Sequence, residues 1–259
     1  MLYWKKAKRR IGASRKLLMS GHSKWATTKR QKALVDAKRG KVFTKIGNMI
    51  AIAAHKGTDP AMNPALAMAI EKAKAANMPL DNIKRAIQRA ADKNSATMLE
   101  ETYEAYGPGG LAIIIEIATD NKNRTFPEVK STLTKNGGRL AENGSVLFQF
   151  TKKGVITLNQ KLDDDLLMEA LDAGADDATP TEDADGTSDA NTTIYTKADE
   201  LASVRENLIA KNLPVTDAEL QYVANTPLEL AGDDAEKAES LLDLLDDLDD
   251  VQNIHTNLA

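Results

Sequence analysis

Apolar positions fall at helical spacing in the first third of the chain and increasingly at strand spacing beyond it. Val42, Phe43, Ile46, Met49, Ile50 and Ala53 recur every three or four residues and predict a helix over residues 26–56. Lys38, Lys41 and Lys45 fall near a different face of it. Gly57 and Asp59-Pro60 break the pattern. Asn63-Pro64 restarts it, with asparagine as cap and proline in the first turn. Leu66, Ile70 and Ala73 carry the second stripe. After Pro79, a third helix places Ile83, Ile87 and Ala90 inward and Lys84, Arg85 and Arg89 outward. The first third therefore reads as an all-helical unit with a basic surface.

Residues 92–97 are polar and read as a linker. Gly107-Pro108-Gly109-Gly110 is a turn. Residues 111–118 are apolar on both alternating faces, as in a central strand. Phe126, Val129 and Leu133 form a helical stripe that Asn136-Gly137-Gly138 terminates. Val146, Phe148 and Phe150 alternate as a half-buried strand, and Lys153-Gly154 reads as a hairpin turn into a strand over 155–158. A helix marked by Leu166, Leu167, Ala170 and Leu171 follows and ends at Gly174. Next come a strand at Thr193-Ile194-Tyr195, a helix with Leu201, Val204, Leu208 and Ile209, and a strand at Leu220, Tyr222 and Val223. The series from 155 on has the β-α-β-β-α-β order of a ferredoxin-like unit. A tail helix over 233–248 turns Leu241, Leu245 and Leu248 inward and Asp243, Asp246, Asp247 and Asp250 to water. A strand over 251–256 ends the pattern. One helix and one strand do not form a unit alone, so they are expected to complete the 98–151 region.

The predicted fold class is therefore α+β and multi-domain. Residues 1–18 are a basic extension, disordered or mis-started ahead of Met19, with a transit peptide as the alternative. Residues 19–97 form the basic helical domain. Residues 98–151 plus 225–259 form an α+β domain, and residues 152–224 an inserted, acidic, ferredoxin-like one.

Charge sharpens this organisation. The net charge is -4 over 259 residues, but residues 1–92 hold 21 Lys/Arg against 5 Asp/Glu, and residues 163–259 hold 4 against 26. A chain so polarised points to a polyanionic partner for its basic end. The acidic third is left with three readings: it orients the molecule, masks the basic domain, or meets a basic protein. Cysteine is absent, which excludes disulfides, thiolate metal sites and cysteine nucleophiles. No apolar run reaches the ~18 residues of a membrane-spanning helix. His22, His55 and His255 do not fall at metal spacing, and no phosphate-binding Gly-x-x-x-x-Gly-Lys pattern occurs. Asp163-Asp164-Asp165 and the aspartates at 246–250 read as caps and solvated faces. No enzyme activity, metal or cofactor is expected.

Gly21-His22-Ser23-Lys24-Trp25 joins a flexible glycine, a cation and a large aromatic ring at the start of a basic helix. That set suits phosphate contact with base or sugar stacking. Lys29, Arg30, Lys32, Lys38, Arg39, Lys41 and Lys45 extend it, each a potential counterion-releasing contact. Lys122 and Arg124 stand at a predicted helix start, which favours anions, and Lys135 and Arg139 flank a glycine-rich helix end. For Trp25 a core role is equally compatible with the pattern, as is a plain glycine cap for residues 135–139.

Five ordered motifs of this chain resemble those of the YebC/PmpR family, over about residues 19–259. They are Met19-Ser20-Gly21-His22-Ser23-Lys24-Trp25, the stretch from Asp36-Ala37-Lys38-Arg39-Gly40 to Lys45, and Lys74-Ala75-Ala76-Asn77-Met78-Pro79 with Asp81-Asn82-Ile83. Tyr103-Glu104 and Tyr106-Gly107-Pro108-Gly109-Gly110 with residues 119–125, and Gly137-Gly138 with Gly144-Ser145-Val146, complete the set. The resemblance implies a helical domain followed by two α+β domains, the third inserted into the second. It implies a cytoplasmic, DNA-binding transcriptional regulator; mitochondrial relatives act as translational activators and bacterial members are connected to the ribosome, so a translation factor that acts through ribosomal or transfer RNA is the alternative. A protein-interaction adaptor that uses the acidic domain is a further alternative from the charge pattern. Residues 26–31 and 91–97 depart from the family pattern, and the 1–18 extension is foreign to most members.

Overall fold

A computed structural model describes residues 39–92, 98–181 and 191–259. Three helices come first: α1 (Arg39–Ala54), α2 (Pro64–Ala75) and α3 (Leu80–Ala91). Their shared core is Ile46, Ile50, Ala53, Leu66, Ala69, Ala73, Met78 and Ile83, the stripes expected from spacing. Asn63 fixes the α1–α2 junction. Its side chain accepts from the Leu66 N–H and donates to the carbonyls of Ala53 and Gly57 (both 2.8 Å).

The remaining chain builds two four-stranded antiparallel sheets. The first comprises β1 (Leu99–Tyr106), β2 (Ala112–Thr119), β3 (Arg139–Leu140) and β8 (Val251–Thr256), in the order β3-β1-β2-β8. The second comprises β4 (Phe150–Leu158), β5 (Asp177–Thr181), β6 (Asn191–Lys197) and β7 (Val215–Ala224), in the order β5-β6-β4-β7. With α5 (Asp164–Asp172) and α6 (Leu201–Ala210) in the crossovers, the second sheet has ferredoxin-like topology. The chain leaves the first sheet after β3 and returns to it through α7 (Asp233–Asp246) and β8. The fold class is α+β.

β2 is buried on both faces. Ile113, Ile115 and Ile117 pack under α7 and α4 (Lys122–Lys135), against Val129, Leu133, Leu241, Leu242 and Leu245. Ala112 and Ile114 turn to Val146, Phe150 and Ala224, and Ala118 meets Ala51 of α1. A strand covered on both sides reads as an uninterrupted apolar run.

Several expectations are corrected. β1 precedes the Gly107–Gly110 turn where only a linker boundary was expected. Residues 147–149 form a 3-10 turn rather than a strand, and Phe148 points outward, 71% exposed. Lys153 and Gly154 lie inside β4 rather than in a hairpin. Glycine is needed there because a Cβ would run into Thr196 Oγ1 and come within 2.9 Å of Leu201 Cβ. Phe126 leaves the core, half exposed, and sets its ring edge-on to Tyr103. Asp250 is buried rather than solvated. The helix stop at 136–138 is as expected, with Gly137 at φ 80. Among the described residues no helix is long and apolar enough to cross a membrane.

Candidate nucleic-acid interface

His22, Ser23, Lys24, Trp25, Lys29, Arg30, Lys32 and Lys38 lie outside the described residues, as does the side chain of Arg39. The other predicted contacts divide into two groups. Lys41 and Lys45, on α1, are turned onto the acidic end of α7. Lys45 Nζ is 2.9 Å from Asp246, and Lys41 Nζ is 3.3 Å from Asp247 and donates to its carbonyl. Lys122 pairs with Glu101, and Arg124 reaches both Asp250 (2.8 Å) and Asp120 (3.2 Å). These four residues join elements of the chain to each other, which sequence spacing did not indicate. Lys135 and Arg139 are exposed, and the Arg139 guanidinium lies 4.9 Å from the centre of the Tyr106 ring.

The site around Arg124 is built from the start of α4. Asn121 caps that helix by accepting from the N–H groups of Asn123 and Arg124. Asp250, buried beneath, also accepts from Thr125 (2.5 Å) and Thr119 (3.2 Å). The helix start expected to attract an external anion is thus supplied with an internal one. Beside it, a groove of about 510 Å³ runs between β1 and α4, lined by Tyr103, Phe126, Pro127 and Leu140, with Glu101 and Lys122 at its wall.

Further ion pairs fix the helical unit against both sheets. Arg89 reaches Asp120 (3.2 Å), Lys72 reaches Glu219 (2.7 Å), and Arg205 reaches Glu71 (2.5 Å). Lys74, Lys84 and Arg85 remain on the exposed side of α2 and α3. Arg85 is braced by Asn82 and by the Asp81 carbonyl.

Sequence reasoning placed Glu104 in a family motif but missed its role. It is 5% exposed, and its carboxylate accepts from three N–H groups of one loop, those of Gly144, Val146 (2.6 Å) and Leu147 (2.8 Å). Burial by itself would raise its pKa. The three backbone donors outweigh that and hold it below its ordinary value. Glu116 follows the same logic: burial raises it, while His255 at 3.2 Å and Asn253 at 2.8 Å bring it down. The burial of Glu104 was not legible because a glutamate in a Glu-rich stretch signals surface.

Comparison with known proteins places this geometry. Residues 23–93 match the TACO1/YebC N-terminal domain, and residues 98–258 match the TACO1/YebC second and third domain. The chain belongs to the TACO1/YebC family. A "probable transcriptional regulatory protein" of Desulforamulus reducens is 46% identical over 245 residues, covering 92% of this chain and 98% of that one. A protein of the same description from Francisella philomiragia is 47% identical, over 93% and 96% of the two chains. The crystal structure of a conserved hypothetical protein from Aquifex aeolicus superposes with a TM-score of 0.79. It is 38% identical and covers 86% of this chain and 91% of its own. TACO1/YebC membership thus spans the helical unit and both sheets.

Proposed function

We propose that this protein is a non-enzymatic regulator of gene expression that binds nucleic acid through its basic N-terminal third, with duplex DNA as the first target and transcription as the process. The observation that carries the reading is the charge polarity: 21 Lys/Arg against 5 Asp/Glu within residues 1–92. Acids from later in the chain meet Lys41, Lys45, Lys72 and Arg89, and the rest of the excess repels itself unless a polyanion offsets it. The relatives described as transcriptional regulatory proteins support the same reading.

A second reading, an RNA-binding factor acting in translation at the ribosome, is favoured by one feature. α1 turns Lys41 and Lys45 onto α7, and so is not a helix standing free to enter a major groove. Irregular RNA is met by tips and loops instead.

The test bears on the N-terminal cations. Binding to duplex DNA is measured against salt for the wild-type chain and for a Lys24→Ala/Arg30→Ala variant. The variant is expected to bind more weakly, with the logarithmic salt slope reduced by about 2 if each side chain neutralises one phosphate. An unchanged affinity and slope would remove the basic N-terminal contact and favour the adaptor. Salt-sensitive co-sedimentation with ribosomes, lost in the same variant, would select the translation reading.

A further inference from the structure

Phe148 is 71% exposed, yet the backbone that carries it is held from several directions. On its N-terminal side the Glu104 carboxylate takes the N–H groups of Gly144, Val146 and Leu147, and the Tyr106 hydroxyl donates to the Ser145 carbonyl (2.7 Å). On the other side Asn225 donates from its side chain to the Phe148 carbonyl (3.3 Å) and from its backbone to the Gln149 carbonyl (2.8 Å). The neighbours two residues away, Val146 and Phe150, are both buried in the cluster that backs the first sheet. A large apolar ring left in water on a mobile tip needs no explanation. One left in water on a backbone fixed at this many points is pre-positioned, and its contact costs little ordering entropy when a partner arrives.

The surroundings indicate what partner fits. Tyr106 and Tyr222 pack on the same buried cluster, and each carries a cation over its ring: Arg139 at 4.9 Å and Lys152 at 5.2 Å. Lys153 turns to the other face of β4, over Tyr195 at 5.6 Å, so Arg139 and Lys152 are the cations that share this cluster. An exposed ring next to a cluster whose tyrosines carry cations matches an unpaired base with its adjoining phosphates. An apolar protein surface would match the ring and make no use of the cations that lie over the tyrosines.

We propose that Phe148 is a base-stacking residue, and that with Arg139 and Lys152 it forms a contact for single-stranded nucleic acid separate from the N-terminal basic segment. This rests on the nucleic-acid reading above and adds to it an unpaired base as the ligand.

The experiment uses the full chain and a short, unstructured, fluorescently labelled oligoribonucleotide, with the matched duplex as comparison. Phe148→Ala is expected to weaken single-strand binding about 10-fold while leaving duplex affinity near wild type, in keeping with about 1–3 kcal/mol per stacked base. Phe148→Trp is expected to restore it, which a merely apolar contact would not require. Equal single-strand affinity for wild type and Phe148→Ala, alongside intact duplex binding, overturns the stacking site but leaves the nucleic-acid function standing. A wild-type chain that binds neither probe overturns both. Self-association of wild type that Phe148→Ala abolishes, with single-strand binding unchanged, assigns the ring to a protein contact and also overturns the proposal.

Discussion

Glu104 stands in β1 with its carboxylate buried among three backbone donors, and its charge is what those donors require. Replacing it with glutamine keeps the size but substitutes an amide N–H₂ for one acceptor oxygen and removes the charge. Glu104→Gln is expected to cost about 1–3 kcal/mol of unfolding free energy at neutral pH, measured by urea denaturation. The pH dependence has a definite sign. Because the folded-state pKa lies below the ordinary value, the carboxylate's contribution is fully present above the unfolded-state pKa of about 4.3 and disappears as pH falls through the folded one. The gap between wild type and Glu104→Gln should therefore narrow below about pH 4. A gap that stays constant across that range would mean that the charge is not what holds the loop.

At the scale of the element, β4 shows how a local signal misleads. Lys153-Gly154 has the look of a tight turn, but the glycine answers to a helix packed above the strand. Gly154→Ala is expected to lower stability by about 1–3 kcal/mol through overpacking against Thr196 and Leu201. A denaturation midpoint equal to wild type would show that Leu201 moves aside freely. The helices, β2 and the β-α-β-β-α-β order were legible because each is written in a period of apolar residues. β1 was not, since Glu100, Glu101 and Glu104 interrupt its pattern and only the loop at 144–147 explains the last of them. Val146, Phe148 and Phe150 alternate as a strand would, yet capture of the loop by Glu104 bends the chain into a 3-10 turn and turns the middle ring outward. No local rule carries that information.

At the scale of the molecule, the basic and acidic ends meet. Lys41 and Lys45 lie some two hundred residues from Asp247 and Asp246 in sequence, so no spacing argument could join them. Each such pair at the surface is worth about 0.2–1 kcal/mol and weakens with salt. A Lys41→Ala/Lys45→Ala variant is therefore expected to raise hydrogen exchange in α1 and at the C-terminal end of α7, while losing much less nucleic-acid affinity than Lys24→Ala/Arg30→Ala. The reverse ranking in affinity would mean that these lysines leave α7 to bind. Of the candidate site, the residue types were legible and their pairing was not. Lys122 and Arg124 were read as anion contacts from a helix start, but the structure supplies Glu101 and Asp250 at the same atoms.

The late return of the chain to its first sheet has a consequence in time. β2 pairs with β8 through Ile113↔Thr256, Ile114↔His255 and Ile115↔Ile254. During synthesis, every strand of the second sheet exists before that partner does. The most apolar of the described strands then waits with one edge unpaired, while its neighbour sheet closes from contiguous sequence. An unsatisfied, isoleucine-rich edge is a template for the wrong partner. β8 therefore acts as a seal: a nascent or truncated chain that stops short of residue 251 keeps its second sheet's strands and leaves its first open to aggregation.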